Sequence, residues 1–151
     1  MNRRPRRNKK QHNPIHQATA PGQCISVDQM ESSTVGFIGQ VKGKLTTKRY
    51  TYATVFVDDY SRYTNVHLQK QLTSEEILEA KNVFEAHCRH HQVHVQHYHA
   101  DNGRFADNLF VQDAIGKGQT LSYCGVNAHW QNGIAERMIR TLRETARTQL
   151  K

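Results

Sequence analysis

Three acidic residues of this 151-residue chain stand where their chemistry could count. Asp101 closes the run VHVQHYHAD, whose valines and tyrosine suit a β-strand, and Asn102 and Gly103 follow at once as a turn. Asp28 lies within residues 23–30, QCISVDQM, on the face of Cys24, Ser26 and Met30, while Ile25 and Val27 point the other way. Glu136 heads a polar helical stripe continued by Arg140, Arg143 and Arg147. Taken singly, each has an ordinary explanation: a turn, an edge strand with one wet face, a solvated helix surface. Taken together, a strand, a strand end and a late helix can bring three carboxylates over one edge of a sheet. Three such groups repel one another and stay ionised together only beside a cation. Two divalent ions about 3.5–4 Å apart would relieve that repulsion and clamp both oxygens of an in-line phosphoryl displacement. All-oxygen ligation suits Mg²⁺ or Mn²⁺ rather than zinc.

The elements that must hold these groups follow from the residue pattern. Residues 50–58, YTYATVFVD, are the strongest strand, and the run Asp58-Asp59-Tyr60-Ser61 turns the chain into a third strand over 62–69. Asp58 and Asp59 are read as turn residues, outside the site. Residues 31–49 read as a long excursion, with a hairpin turned by Lys42-Gly43-Lys44. Thr73 and Glu76 form a capping box that opens a helix to about Arg89, with Ile77, Ala80, Phe84 and Cys88 as its buried stripe. A short helix over 107–115, closed by Gly116-Lys117-Gly118, leads to a fifth strand over 119–124, which implies a parallel crossover. From Gly133 onward the chain is helical, with Ala135, Met138, Ile139, Leu142, Ala146 and Leu150 as its apolar stripe. The expected architecture is α/β: a five-stranded mixed sheet, three antiparallel strands followed by parallel ones, flanked by helices. His87, His90, His91, His94, His97 and His99 straddle a helix end, a loop and both faces of a strand, which argues against a zinc site.

The formal charge of +8 is concentrated at one end, since six of the 21 Lys and Arg fall within the first ten residues. Residues 1–20 are expected to be a disordered basic tail, a nuclear-import or polyanion-binding arm or else a solvated leader; residues 21–151 are the domain. No apolar run reaches the ~18 residues that a membrane span needs, and no signal-peptide h-region is present. Cys24, Cys88 and Cys124 form no CxxC pair, which points to a reducing, intracellular setting.

The segments VDQMES, VFVDDYSRYT, HADNGRF and HWQNGIAERMIRTLRE, with 35 positions from Asp101 to Glu136, resemble the catalytic core of retroelement integrases, most closely those of copia-type LTR retrotransposons. The resemblance implies a ribonuclease H-like fold and a catalytic, metal-binding triad of Asp28, Asp101 and Glu136 that takes Mg²⁺ or Mn²⁺. It implies 3′-end processing of element DNA followed by strand transfer, with two ions when DNA is bound. DNA contacts would come from Asn102 and Gly103 through close backbone approach, from Trp130, Gln131 and Asn132 in a loop beside the scissile phosphate, and from Arg137 and Arg140. Element ends and target DNA would be the partners of a homo-oligomer, with no small-molecule substrate and no membrane. The integration step would take place in the nucleus, with a cytoplasmic particle before it. Integrases of this family also carry a zinc module and a downstream DNA-binding region, for which this sequence has no counterpart. A core fragment truncated at its C-terminus is therefore expected, the alternative being a non-catalytic nucleic-acid-binding remnant of a retroelement polyprotein.

Overall fold

A strand that is apolar on both faces needs cover on both sides, and that requirement organises the sheet. The computed structural model describes residues 17–37, 49–101, 103–125 and 132–149. Its elements are β1 (Ile25–Phe37), β2 (Arg49–Asp58), β3 (Thr64–Gln69), α1 (Ser74–His90), β4 (His97–Ala100), a 3₁₀ turn (Arg104–Ala106), α2 (Asn108–Gly116), β5 (Thr120–Tyr123) and α3 (Gly133–Gln149). The strand order is β3-β2-β1-β4-β5, antiparallel from β3 to β1 and parallel from β1 to β5. β2 alternates accordingly. Phe56 joins Ile25, Val27, Tyr98 and Ala100 beneath α1 and α2, while Val55 and Val57 face Ile139 of α3 on the other side.

Aromatic contacts lock the α1/α2 face. Phe56 stacks on Phe84 at 4.6 Å, and Tyr98 meets Phe110 edge-on at 5.4 Å. Beneath them lies a polar knot that the helical period does not announce. Lys81, with a fully buried side chain, donates to Glu85, Asp113 and Gln119. Tyr98 adds its hydroxyl to Glu85 at 2.8 Å, and Lys117 reaches Glu85 at 2.9 Å and Asp113 at 2.8 Å. The knot joins α1 and α2 to the parallel half of the sheet.

Four sequence expectations change. Residues 31–37 are strand rather than excursion: β1 continues to Phe37, its register against β2 shifting between Glu31 and Gly36, where an irregularity absorbs extra chain. The proposed Lys42-Gly43-Lys44 hairpin lies outside the described residues. The strand before Asp101 is shorter than its valines suggest, because residues 93–96 lie outside the ladder while Val93 and Val95 pack on the core. The capping box is half formed: Thr73 Oγ1 accepts the Glu76 N–H at 3.3 Å, but the Glu76 carboxylate takes the Lys70 and Gln71 N–H groups instead. Finally, the α3 stripe is buried only at its start, where Ala135 and Ile139 are covered; Ala146 is exposed, and Leu150 lies outside the described residues.

Candidate functional site

Parallel pairing of β1 with β4 does most of the positioning. Val27 pairs with Ala100, and Ala100 with Tyr123. The residues after the first pair, Asp28 within β1 and Asp101 just past the end of β4, therefore stand at one level on neighbouring segments. Each follows a residue of the α1/α2 core, so each steps toward the opposite face, the face that carries α3. Asn132 brings α3 in: its Nδ2 donates to the Val27 carbonyl at 3.0 Å, just before Asp28. Glu136 follows in the first turn of the helix.

Cys124 reports how these charges are arranged. The buried thiol is pushed above its ordinary range by desolvation first, then by the negative charges of Asp101, Glu136 and Asp28 in that order. All three negative charges thus act on one sulfur. They do not converge on a single point, however. Among the described residues, no three of His, Cys, Asp and Glu stand close enough together to hold a metal ion. Asp28 and Asp101 are half-buried and Glu136 is exposed. Asp28 Oδ1 accepts its neighbour's Gln29 N–H at 2.7 Å. The donor chemistry, three carboxylates, fits a hard divalent cation.

The other expected residues fall into distinct places. A Cβ on Gly103 would stand 3.3 Å from Asp101 Oδ2, so this glycine lets the backbone lie against the carboxylate. Asn132, expected in a DNA-contacting loop, lies at the start of α3. It is buried and ties α3 to β1, with its Oδ1 left without a partner among the described residues. Arg137 and Arg140 are exposed on α3, and no ion pair joins Glu136 to Arg140 among the described residues. Asn102, Trp130 and Gln131 lie outside the described residues. Asp58 and Asp59 behave as turn groups: Asp58 accepts from Gly22 N–H and from Ser61 N–H and hydroxyl, and Asp59 from the Ser26 hydroxyl.

Sequence reasoning missed two residues here. The sequence marks Cys124 only as the end of a strand and a sign of a reducing setting, and His99 only as one of six histidines. In the fold His99 is buried, with Nδ1 at 2.7 Å from Ser122 Oγ and Nε2 at 3.6 Å from Cys124 Sγ. The available signal was the strand period, which puts His99 two positions before Asp101.

No protein-family model and no curated protein matches this sequence. The fold does match solved structures. The catalytic core of HTLV-2 integrase, solved in complex with magnesium as a trimeric form, superposes with a TM-score of 0.60 at 18% identity, over 89% of this chain and 75% of that one. The integrase of a simian T-cell lymphotropic virus intasome gives 0.66 at 19%, over 86% of this chain and 41% of that one. The BIV integrase core gives 0.57 at 17%, over 82% and 68%. What these likenesses establish for this chain is a ribonuclease H-like fold with the five-stranded mixed sheet of retroviral integrase cores.

Proposed function

We propose that this chain is a DDE-type polynucleotidyl transferase, the integrase catalytic core of a copia-type LTR retrotransposon. It would process the 3′ ends of element DNA and join them to target DNA, with Asp28, Asp101 and Glu136 as catalytic and metal-binding residues. The observation that carries the reading is the placement of three elements: Asp28 and Asp101 follow the paired Val27 and Ala100, and Asn132, bonded to the Val27 carbonyl, sets the start of the helix that carries Glu136. The fold, shared with an HTLV-2 core solved with magnesium, supports it. DNA ends and target DNA are the proposed partners, in a homo-oligomer acting in the nucleus.

Mg²⁺ or Mn²⁺, when bound, would supply the positive charge that offsets the carboxylates and the phosphoryl group in flight. The chain's own residues do the rest. Parallel pairing holds Asp28 and Asp101 at one level, and the Asn132 anchor sets the start of α3. Gly103 leaves room beside Asp101 for the carboxylate to turn. Arg137 and Arg140, exposed on the same helix as Glu136, draw a phosphate backbone toward the site.

The test is carried out on the full chain. Mg²⁺ should lower the Cys124 thiol pKa, followed by ¹³Cβ NMR, because a cation offsets the three charges that raise it. Asp101→Asn should abolish both that response and Mg²⁺-dependent nicking of a branched DNA substrate while leaving the fold intact. Undiminished nicking in Asp101→Asn removes the site assignment. The second reading, a nucleic-acid-binding remnant without catalysis, draws on the absence of a ready-made metal cage among the described residues. DNA binding with a thiol indifferent to Mg²⁺ would favour it.

A further inference from the structure

Arg62 sits in a backbone conformation that its side chain makes costly. In the β2–β3 turn its φ is 63°, the left-handed region where a Cβ crowds the following carbonyl and glycine or asparagine fits best. The turn holds it there. Its N–H donates to the Asp58 carbonyl at 2.9 Å, the Asp58 N–H donates to the Tyr63 carbonyl at 2.9 Å, and the Asp58 carboxylate binds Ser61. Thus presented, Arg62 lines a cavity of about 270 Å³ together with Arg137 and Thr141, above Val57, Ile134 and Met138. No carboxylate among the described residues lines that cavity. Among the described residues, neither guanidinium has a hydrogen-bond or ion-pair partner. Two cations facing one apolar-floored cleft repel each other, and an anion between them reverses the sign of that interaction. Forked guanidinium donors match phosphate oxygens in geometry as well as charge.

We infer that Arg62 and Arg137 clamp one phosphodiester group of a nucleic-acid strand on the β3 side of α3. The inference deepens the proposed function and rests on its nucleic-acid reading. Glu136 and Arg137 are successive helix residues and diverge by about 100° around the axis. One turn of α3 can therefore serve the carboxylates on one flank and the backbone of the same strand on the other. The strained turn at Arg62 supplies the second half of the clamp from a different element.

The experiment measures binding of the full chain to a short DNA duplex over a range of salt, in EDTA so that metal chemistry is silent. Arg62→Gly suits the left-handed backbone and removes only the guanidinium. It should keep or raise the thermal midpoint, weaken binding several-fold, and reduce the slope of log K against log salt by about 0.9, the share of one phosphate. Arg137→Gln should do the same. The double variant should lose about 0.9 in total rather than twice that, because both groups hold one phosphate. Arg62→Lys, which keeps the charge, should retain the slope. An unchanged slope in Arg62→Gly and Arg137→Gln, with wild-type binding intact, overturns the clamp and leaves the proposed function standing. Failure of the wild-type chain to bind DNA overturns both. Loss of inorganic phosphate binding in Arg62→Gly without loss of DNA affinity also overturns the clamp, by showing a site for free anions.

Discussion

At the scale of single residues, the buried Lys81 knot and the Cys124 thiol make opposite use of charge. Lys81 is worth its burial only because carboxylates surround it. Lys81→Met would take one charged donor from Glu85, whose side chain is 4% exposed and which keeps Lys117, Gln119 and Tyr98, and should cost about 1.5–3 kcal/mol of stability, read by denaturant unfolding. The knot also sets a pH window. Burial acts to raise the pKa of both Glu85 and Asp113, but hydrogen bonds from Lys117 and Lys81 outweigh it and hold both below the ordinary carboxylate range. Carboxylates depressed in the folded state stabilise above their unfolded pKa, and that contribution is lost as pH falls through the folded value. Stability should therefore drop below about pH 4. On the alkaline side, the Lys117 pKa is raised by its carboxylate partners despite desolvation, and the Tyr98 pKa is raised by burial and then by Glu85. Groups raised in the folded state lose their contribution as pH climbs past the unfolded value, so a second decline should begin near pH 10. Thermal midpoints across pH check both limbs. At Cys124 the three carboxylate charges add to burial in raising the thiol's pKa. Asp101 is the largest charge acting on it, so Asp101→Asn should lower its pKa more than Asp28→Asn does.

At the scale of elements, the sheet places the aspartates and α3 places the glutamate, so the glutamate can be misplaced without being mutated. α3 rests on Val55 and Val57 chiefly through Ile139, which is 7% exposed, with Met138 and Leu142 only partly covered. Ile139→Ala should cost about 2–4 kcal/mol and reduce nicking at temperatures where the domain remains folded, although the residue carries no chemistry itself. Gly22 offers a test at the opposite end of β1. Its φ is 83°, and a Cβ there would lie 2.5 Å from the His94 carbonyl oxygen, while its N–H is bonded to Asp58. Gly22→Ala should destabilise by more than the ~1 kcal/mol of an ordinary glycine replacement, since backbone must move.

At the scale of the whole molecule, charge rather than shape governs the approach of a polyanion. Six of the Lys and Arg lie in the first ten residues, and α3 presents Arg137, Arg140, Arg143 and Arg147 on exposed positions. Deleting residues 1–10 should flatten the salt dependence of DNA binding without changing sequence preference, because phosphate contacts carry affinity and not specificity. An unchanged slope would leave the tail with no part in binding. The Arg62–Arg137 cleft adds a localised contribution to this diffuse one, and the two separate because only the cleft depends on the β2–β3 turn.

Much of this was legible in the residues. Alternation along 50–58 and the Thr73 cap gave β2 and α1, and the strand-helix-strand order after Asp101 gave the parallel half of the sheet. Asp28, Asp101 and Glu136 could be singled out because their types and spacing are read directly from the chain. The tertiary structure alone decided that Asn132 is an anchor and that Lys81 is buried. It also decided that the Cys124 thiol lies within the field of the three carboxylates and that Arg62 shares a cleft with Arg137. The physical reason is range: caps, turns and periodicity act within a few residues. Burial of a charge and the meeting of side chains from different elements depend on pairings between distant segments, which no local pattern encodes.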